Sequence, residues 1–579
     1  MPNGRVASVV LVAFLMLSGT VGSLGRSAGE TSAQEEQAGP AAQQLIGVAL
    51  ETGQLDYGTS LVYRAYALFG DERLPDEFAG AGAVEDPGFF AEVRLNWDEL
   101  PGGKRDQLTP FIVRPNDARS IFAAKPAGEA TGADEGADTG TGFRDTGDCV
   151  EDWATAIHPT FPVKVWMRCT DDYAADLERV VSLIDGFWQP EVDLMGPPKA
   201  DTGTAEAGGD TRIDLYVLDF ENDEFPRNGG TPSPLREGTA AMAIADDPIE
   251  GKTASGYMIA RRSELHDEVF QLTLAHEFFH VLQYAHNVTI TWGFSSTPYG
   301  EFDVLRYTPY WFFEATPTWV ESYVYRGKVS DGAMLDGAHS RFSYSFNTDE
   351  PLFTSVAHGS RLASNMYAAY IWFYFVEQEV GPEAIGQIWR NLEAVNQDDW
   401  DGTLDAIDSV LPFEENFREF AVRNLNLDLQ PGDPISPSYA DMDSAFPEGI
   451  PPVLAIGEGK DRRLEAQGAG EPERQVEATI KPLSAQYYYL VPQDDVAAVT
   501  LDFSGMAPAE TLDVDLIVRI KDKGWERRDL GVDDPTVLCR AIPDDDVEAF
   551  YLVLSNHSTE LDGALGGSFT VGASAESCA

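Results

Sequence analysis

An α+β fold is predicted for this 579-residue chain, and three observations predict it. An early stretch patterns as short amphipathic helices, and a middle stretch mixes strand-like and helix-like runs. The final stretch reads as short strands separated by acidic turns. Such a length needs more than one hydrophobic core.

Residues 1–28 are read as a secretory signal. Arg5 precedes the apolar run Val6 to Leu17, and small residues follow through Ser23. That run is short for a membrane span, and no later segment is long and apolar enough to make one. A soluble, secreted mature protein is expected, with no membrane contact beyond the export signal. Residues 29–124 form a helical region of pro-segment character: Leu45, Val48, Leu50 and Leu55 recur at helical spacing. Ser60 to Phe69 is a second helix with Gly70 as its C-cap, and a shorter piece spans Phe89 to Trp97. Residues 125–148 are rich in Gly, Ala, Asp, Glu and Thr, too poor in large apolar side chains to fold alone. They read as an acidic linker and a candidate cleavage region.

Residues 149–446 form the expected central domain. Phe161 to Met167, Arg212 to Asp219 and Ser255 to Ala260 are its strands, and Ala174 to Leu194 a long amphipathic helix. The strand Ser255 to Ala260 is expected at a sheet edge, where an extended peptide could add to it. Helices follow over Tyr367 to Val376, Ala384 to Leu392 and Phe413 to Leu425. From residue 447 to 579, six short strands starting near Gln475 and ending near Val571 predict a β-sandwich accessory domain.

Forty Lys and Arg face 96 Asp and Glu, a net charge of −56 that excludes nucleic acid as a partner. The acids are spread along the whole chain, which reads as a solvated surface. Asp219, Glu221, Asp223, Asp246 and Asp247 do not match the spaced calcium loop and are read the same way. Cys149, Cys169, Cys539 and Cys578 suit an oxidising compartment. Four cysteines allow three pairings; Cys149–Cys169 and Cys539–Cys578 are preferred because each is local. No Cys-x-x-Cys offers zinc a thiolate pair.

The chemistry concentrates in Thr273 to Gln283, where His276, Glu277 and His280 spell His-Glu-x-x-His. Residues four apart on a helix are about 40° apart around its axis, so both imidazoles project from one face. Zn²⁺ needs such convergence. Glu277 between them is placed to take a proton from a water activated at the metal. The surrounding Leu272, Leu274, Ala275, Phe278, Phe279, Val281 and Leu282 make the helix apolar on its other sides, hence buried. Two histidines and a glutamate there would be costly without partners.

A third ligand comes from one of two places. His286 has the metzincin offset, but Gln283 stands where metzincins carry a glycine that turns the chain back. On a continuing helix His286 lies about 15 Å beyond His276 along the axis. The other place is Trp311-Phe-Phe-Glu314-Ala-Thr-Pro-Thr-Trp319-Val-Glu321. This stretch is similar to the Trp-x-x-Glu-Gly-x-Ala-x-Trp-x-Glu motif of gluzincin metallopeptidases. Trp311, Glu314, Trp319 and Glu321 match, while Ala315 and Pro317 replace the motif's Gly and Ala. The resemblance implies a zincin-like domain, Zn²⁺ held by His276, His280 and Glu314, Glu277 as general base, and a protein or peptide substrate. Glu321 then reads as an acceptor for a metal histidine. Pro317 departs from the motif, and the helix is expected to start near Glu314. Tyr323, Tyr325, Tyr367 and Tyr370 are candidate donors to a developing oxyanion. The competing reading is an exported binding or adhesion protein with a structural or vestigial metal site, for which Glu277 would have no use.

Overall fold

The computed structural model describes residues 42–80, 88–123, 153–169, 173–204, 207–220, 240–246, 249–291, 310–329, 349–353, 365–396, 399–425, 463–464, 469, 471–506, 510–530, 536–539, 547–560 and 563–576. The expected signal and linker lie outside them, as do Cys149 and Cys578. Cys169 and Cys539 are each disulfide-bonded. Among the described residues no helix is long and apolar enough to cross a membrane. Helix and sheet are mixed in an α+β arrangement with several antiparallel pairings.

Among the described residues, five α-helices come first: α1 Ala42–Glu51, α2 Tyr57–Leu68, α3 Asp76–Ala79, α4 Gly88–Leu95 and α5 Gly102–Ile112. Asp56 starts α2 by accepting a hydrogen bond from the Thr59 amide at 2.9 Å, a side-chain N-cap. A five-stranded sheet follows, built from β1 Trp153–Ile157, β2 Val163–Arg168, β3 Ile213–Leu218, β4 Ala241–Ala245 and β5 Gly256–Arg261. Its order is β1-β2-β3-β5-β4, with β2, β3 and β5 mutually parallel and both outer strands antiparallel to their neighbours. Helix α6 Tyr173–Met195 links β2 to β3, the crossover that parallel strands require. Every residue of β3 and β5 is buried, as a sheet covered on both faces demands.

The two faces are covered by different parts of the chain. Val165, Leu215, Val217, Met258 and Ala260 share one core with α6 and the helices that follow the sheet. Trp153, Tyr216, Leu218, Ile244, Tyr257 and Ile259 pack instead against Leu61, Phe69, Phe90, Phe111 and Phe122 of the N-terminal region. That region therefore forms a layer on the second face of this sheet. Its anchor is Arg114, 2% exposed, whose guanidinium pairs with Asp201, Asp214 and Asp246. Asp246 is accordingly buried and ion-paired, not solvated. Glu221, Asp223 and Asp247 lie outside the described residues.

Two further corrections concern strands. Strand β1 begins at Trp153, ahead of the first strand expected from sequence. The strand expected at the edge, β5, lies inside the sheet between β3 and β4, and β4 is the outer strand among the described residues. In β4, Ala241, Ala243 and Ala245 face the helices and carry little β propensity. Their small size lets a helix approach closely.

After the sheet come α7 Val269–Asn287, α8 Tyr310–Tyr325, α9 Asn365–Ala368, α10 Tyr370–Val380, α11 Glu383–Leu392, α12 Trp400–Asp408 and α13 Phe413–Arg423. The C-terminal strands are β6 Arg463–Leu464, β7 Arg474–Ile480, β8 Ser484–Leu490, β9 Ala498–Asp502, β10 Leu512–Ile520, β11 Gly524–Asp529, β12 Thr536–Cys539, β13 Val547–Asn556 and β14 Leu565–Ser574. They form a five-stranded sheet, β11-β10-β13-β8-β6, and a four-stranded one, β12-β9-β14-β7. Ile480, Leu501, Leu516, Leu552 and Phe569 fill one core between the two sheets. This sandwich is docked, not tethered. Ala421 and Val422 of α13 pack on Tyr487, Ile517 and Tyr551, and the Tyr487 hydroxyl donates to the Ala421 carbonyl at 2.7 Å. Fully buried Asp515 of β10 takes Arg418 of α13 at 2.8 Å across the same boundary, and Arg527 of the adjacent β11 at 2.6 Å within the sheet.

Candidate metal centre

Helix α7 is seated by its tyrosine and its phenylalanines. The Tyr284 hydroxyl donates to the Ala243 carbonyl of β4 at 3.2 Å. Its ring lies where a side chain on Gly256 would begin, 2.8 Å from an ideal Cβ, so only glycine lets helix and strand approach this closely. On the other side, Phe278 stacks on Trp188 of α6 with ring centroids 4.4 Å apart. These contacts fix the rotation of α7 and turn His276 and His280 toward α8.

Helix α8 brings Glu314 to them. Its Oε2 lies 3.3 Å from His276 Nε2 and 3.6 Å from His280 Nε2. The donor atoms of His276, His280 and Glu314 lie within 4.8 Å of one another, close enough to hold one metal ion. Two neutral imidazole nitrogens and a carboxylate oxygen form a donor set suited to zinc. His276, His280 and Glu314 are each 5% exposed or less, and Glu277 is 9% exposed.

The far side of each ring is also held. His276 Nδ1–H donates to Glu321 Oε1 at 2.8 Å. His280 Nδ1–H donates to the Gln283 carbonyl oxygen at 2.7 Å. Each bond places a ring proton on Nδ1, so that Nε2 is the nitrogen facing Glu314 and the one that would bind a metal. Phe313 stacks on the His280 ring with centroids 4.4 Å apart.

Without a cation the cluster holds protons instead. Burial works to lower the basicity of His276, but hydrogen bonds to Glu314 and Glu321 outweigh it and carry its pKa up to about 10. Burial likewise opposes ionisation of Glu314, and the two histidines reverse that, bringing its pKa down to about 2. His276 would have to give up a proton to bind a cation here, whereas Glu314 would offer it an ionised carboxylate.

His286 is not part of this group. Helix α7 runs unbroken to Asn287, so the ring is carried past the site. It bonds Glu393 and the Met195 carbonyl, each at 2.8 Å. The helix start expected near Glu314 is also corrected, because α8 begins at Tyr310 and passes through Pro317. Of the four tyrosines, Tyr367 has its ring centroid 6.1 Å from that of His276 and is half-buried. Tyr323 stacks on Trp319, Tyr370 is fully buried, and the Tyr325 hydroxyl reaches Gly186 on α6. Gln283 was visible in the sequence only as a missing glycine. Its offset of three from His280 put both on one helix face, and that was the signal for its role.

No curated protein sequence matches the chain. Among solved structures, a family GH115 4-O-methyl-α-glucuronidase with specificity for decorated arabinogalactans is similar at 9% identity and a TM-score of 0.11. The alignment covers 54% of this chain and 39% of that one, and at such a score it carries no argument. A family model described as a family of unknown function, DUF6055, matches residues 254–526. That span opens just before β5, contains α7 and α8 whole, and closes within β11 of the sandwich.

Proposed function

We propose that this protein is a zinc-dependent hydrolase that cleaves peptide bonds outside the cell, built on a zincin-like domain. The observation that carries this reading is the convergence of His276 Nε2, His280 Nε2 and Glu314 Oε2 from two helices, with Glu277 next to His276 in the chain and acting on its charge. The mixed sheet with α7 packed beneath its outer strand supports the zincin-like assignment. The bonded state of Cys169 and Cys539 supports an oxidising, extracellular setting.

His276, His280 and Glu314 would hold the zinc, which supplies a Lewis acid able to polarise a carbonyl and acidify water. Glu277 is the general base: its carboxylate takes a proton from the attacking water and delivers it to the leaving amine nitrogen. A site that only braces the fold has no need of such a carboxylate. Tyr367 is the best placed of the four tyrosines to donate its hydroxyl proton toward the charge that develops on the scissile carbonyl oxygen.

The test is Glu277→Gln, assayed on an unfolded casein-like protein alongside measured zinc content. The reading expects zinc retained and cleavage lost by a factor of at least about 10². Cleavage at the wild-type rate in that variant overturns the mechanism. Zinc without turnover of any peptide by the wild type would favour the binding-protein reading.

A further inference from the structure

Pro317 sits in the interior of α8, where it ought to leave a carbonyl without a partner. In an α-helix the carbonyl of residue 313 accepts from the N–H of residue 317. Proline has no N–H, so the Phe313 carbonyl, one residue before Glu314, loses its helical donor. The missing donor comes from the other helix: Gln283 Nε2 reaches the Phe313 carbonyl at 3.0 Å. The same amide nitrogen gives its second hydrogen to Thr316 Oγ1, also at 3.0 Å. Thr316 in turn donates to the Phe312 carbonyl at 3.1 Å. Gln283, Phe313 and Thr316 are all fully buried.

These bonds decide which way the glutamine amide points. Turned over, it would set its oxygen against the Phe313 carbonyl, which can only accept, and its NH₂ against His280 Nδ1, which would then have to give up its proton. Anchored as it is, its oxygen faces His280 Nδ1 at 2.7 Å and holds the proton there. We propose that Pro317 and Gln283 act as one positioning unit for His280: the proline frees the carbonyl that orients the glutamine, and the glutamine sets the ring. His276, by contrast, is set by the carboxylate of Glu321. The inference rests on reading the site as a metal centre, and it assigns a purpose to the residue that departs from the gluzincin-like motif.

The test is the zinc affinity of the full chain, measured by chelator competition, with cobalt absorption spectra as a second readout. Gln283→Leu and Gln283→Asn are each expected to weaken zinc binding about 10- to 100-fold. The shorter asparagine keeps the amide but cannot span from His280 to Phe313. Pro317→Ala restores the helical N–H, which competes with Gln283 for the Phe313 carbonyl. That variant should melt no lower than wild type in its metal-free form while binding zinc several-fold more weakly, with an altered cobalt spectrum. The Gln283→Leu loss should be smaller in the Pro317→Ala background, because the two residues share one effect. Wild-type affinity in Gln283→Asn, or additive losses in the double variant, overturns the unit. A wild-type protein that binds no zinc overturns the metal reading itself, and this inference with it.

Discussion

Glu321 and Glu314 lie two turns apart on one face of α8 and reach the same imidazole from opposite sides. Glu314 approaches Nε2 of His276 at 3.3 Å, and Glu321 accepts from Nδ1 at 2.8 Å. The second contact holds a proton on Nδ1, so that Nε2 is the nitrogen that would share a metal with Glu314. Glu321→Leu should therefore weaken zinc binding about 10- to 100-fold without touching a ligand. Chelator competition on folded protein checks this, and unchanged affinity would remove Glu321 from the site.

Arg114 is the cation that three buried carboxylates share, with its guanidinium also 4.7 Å from the Tyr257 ring, while Arg94 reaches Asp246 alone at 3.4 Å. Removing it leaves Asp201, Asp214 and Asp246 without their shared partner. Arg114→Leu should cost about 3–5 kcal/mol of stability, read by denaturant unfolding. Zinc affinity of the folded variant should be unchanged, because Arg114 belongs to the opposite face of the sheet from α7.

The same cluster has a pH signature. Burial pushes the Asp214 carboxyl up to about 7, against the pull of Arg114. A carboxyl that binds its proton more tightly when folded stabilises the fold at low pH, and loses that contribution as pH rises from its unfolded value toward 7. Asp214→Asn should flatten the fall in stability between about pH 4 and pH 7. Thermal unfolding of both proteins across that window tests it; parallel curves would contradict it.

Glu191 is fully buried in α6, and neither of its oxygens has a hydrogen-bond partner among the described residues. Burial holds its carboxyl well above the usual range, so ionising it costs stability increasingly as pH rises. Glu191→Leu should stabilise the protein by about 1–3 kcal/mol at neutral pH, with a smaller gain at pH 4. Denaturant midpoints at the two pH values measure both.

What the sequence made legible was local. Two histidines four apart on an apolar helix sit on one face whatever surrounds them, and Glu314 and Glu321, seven apart, do so too. The lost parts depended on partners distant in the chain. Leu61 and Phe69 announce an amphipathic helix, but nothing in their spacing names the sheet face of Tyr216 and Tyr257 that they cover, and the helix carrying Phe111 went unpredicted. Asp246 looks like any loop acid until Arg114, 132 positions earlier, is brought against it. The order of β4 and β5 follows from tertiary pairing, which alternation alone does not encode. Pro317 was misjudged because a helix-breaking residue was weighed without the side chain that repairs the break.

The central claim is that two imidazoles from α7 and one carboxylate from α8 surround a single zinc ion. Zinc-edge X-ray absorption of the purified chain tests it most directly. One zinc per chain is predicted, with two imidazole nitrogens at about 2.0–2.1 Å and oxygen ligands at about 2.0–2.2 Å, and Glu314→Ala should change that shell. A protein free of zinc, a shell lacking imidazole, or a spectrum indifferent to Glu314→Ala would contradict it.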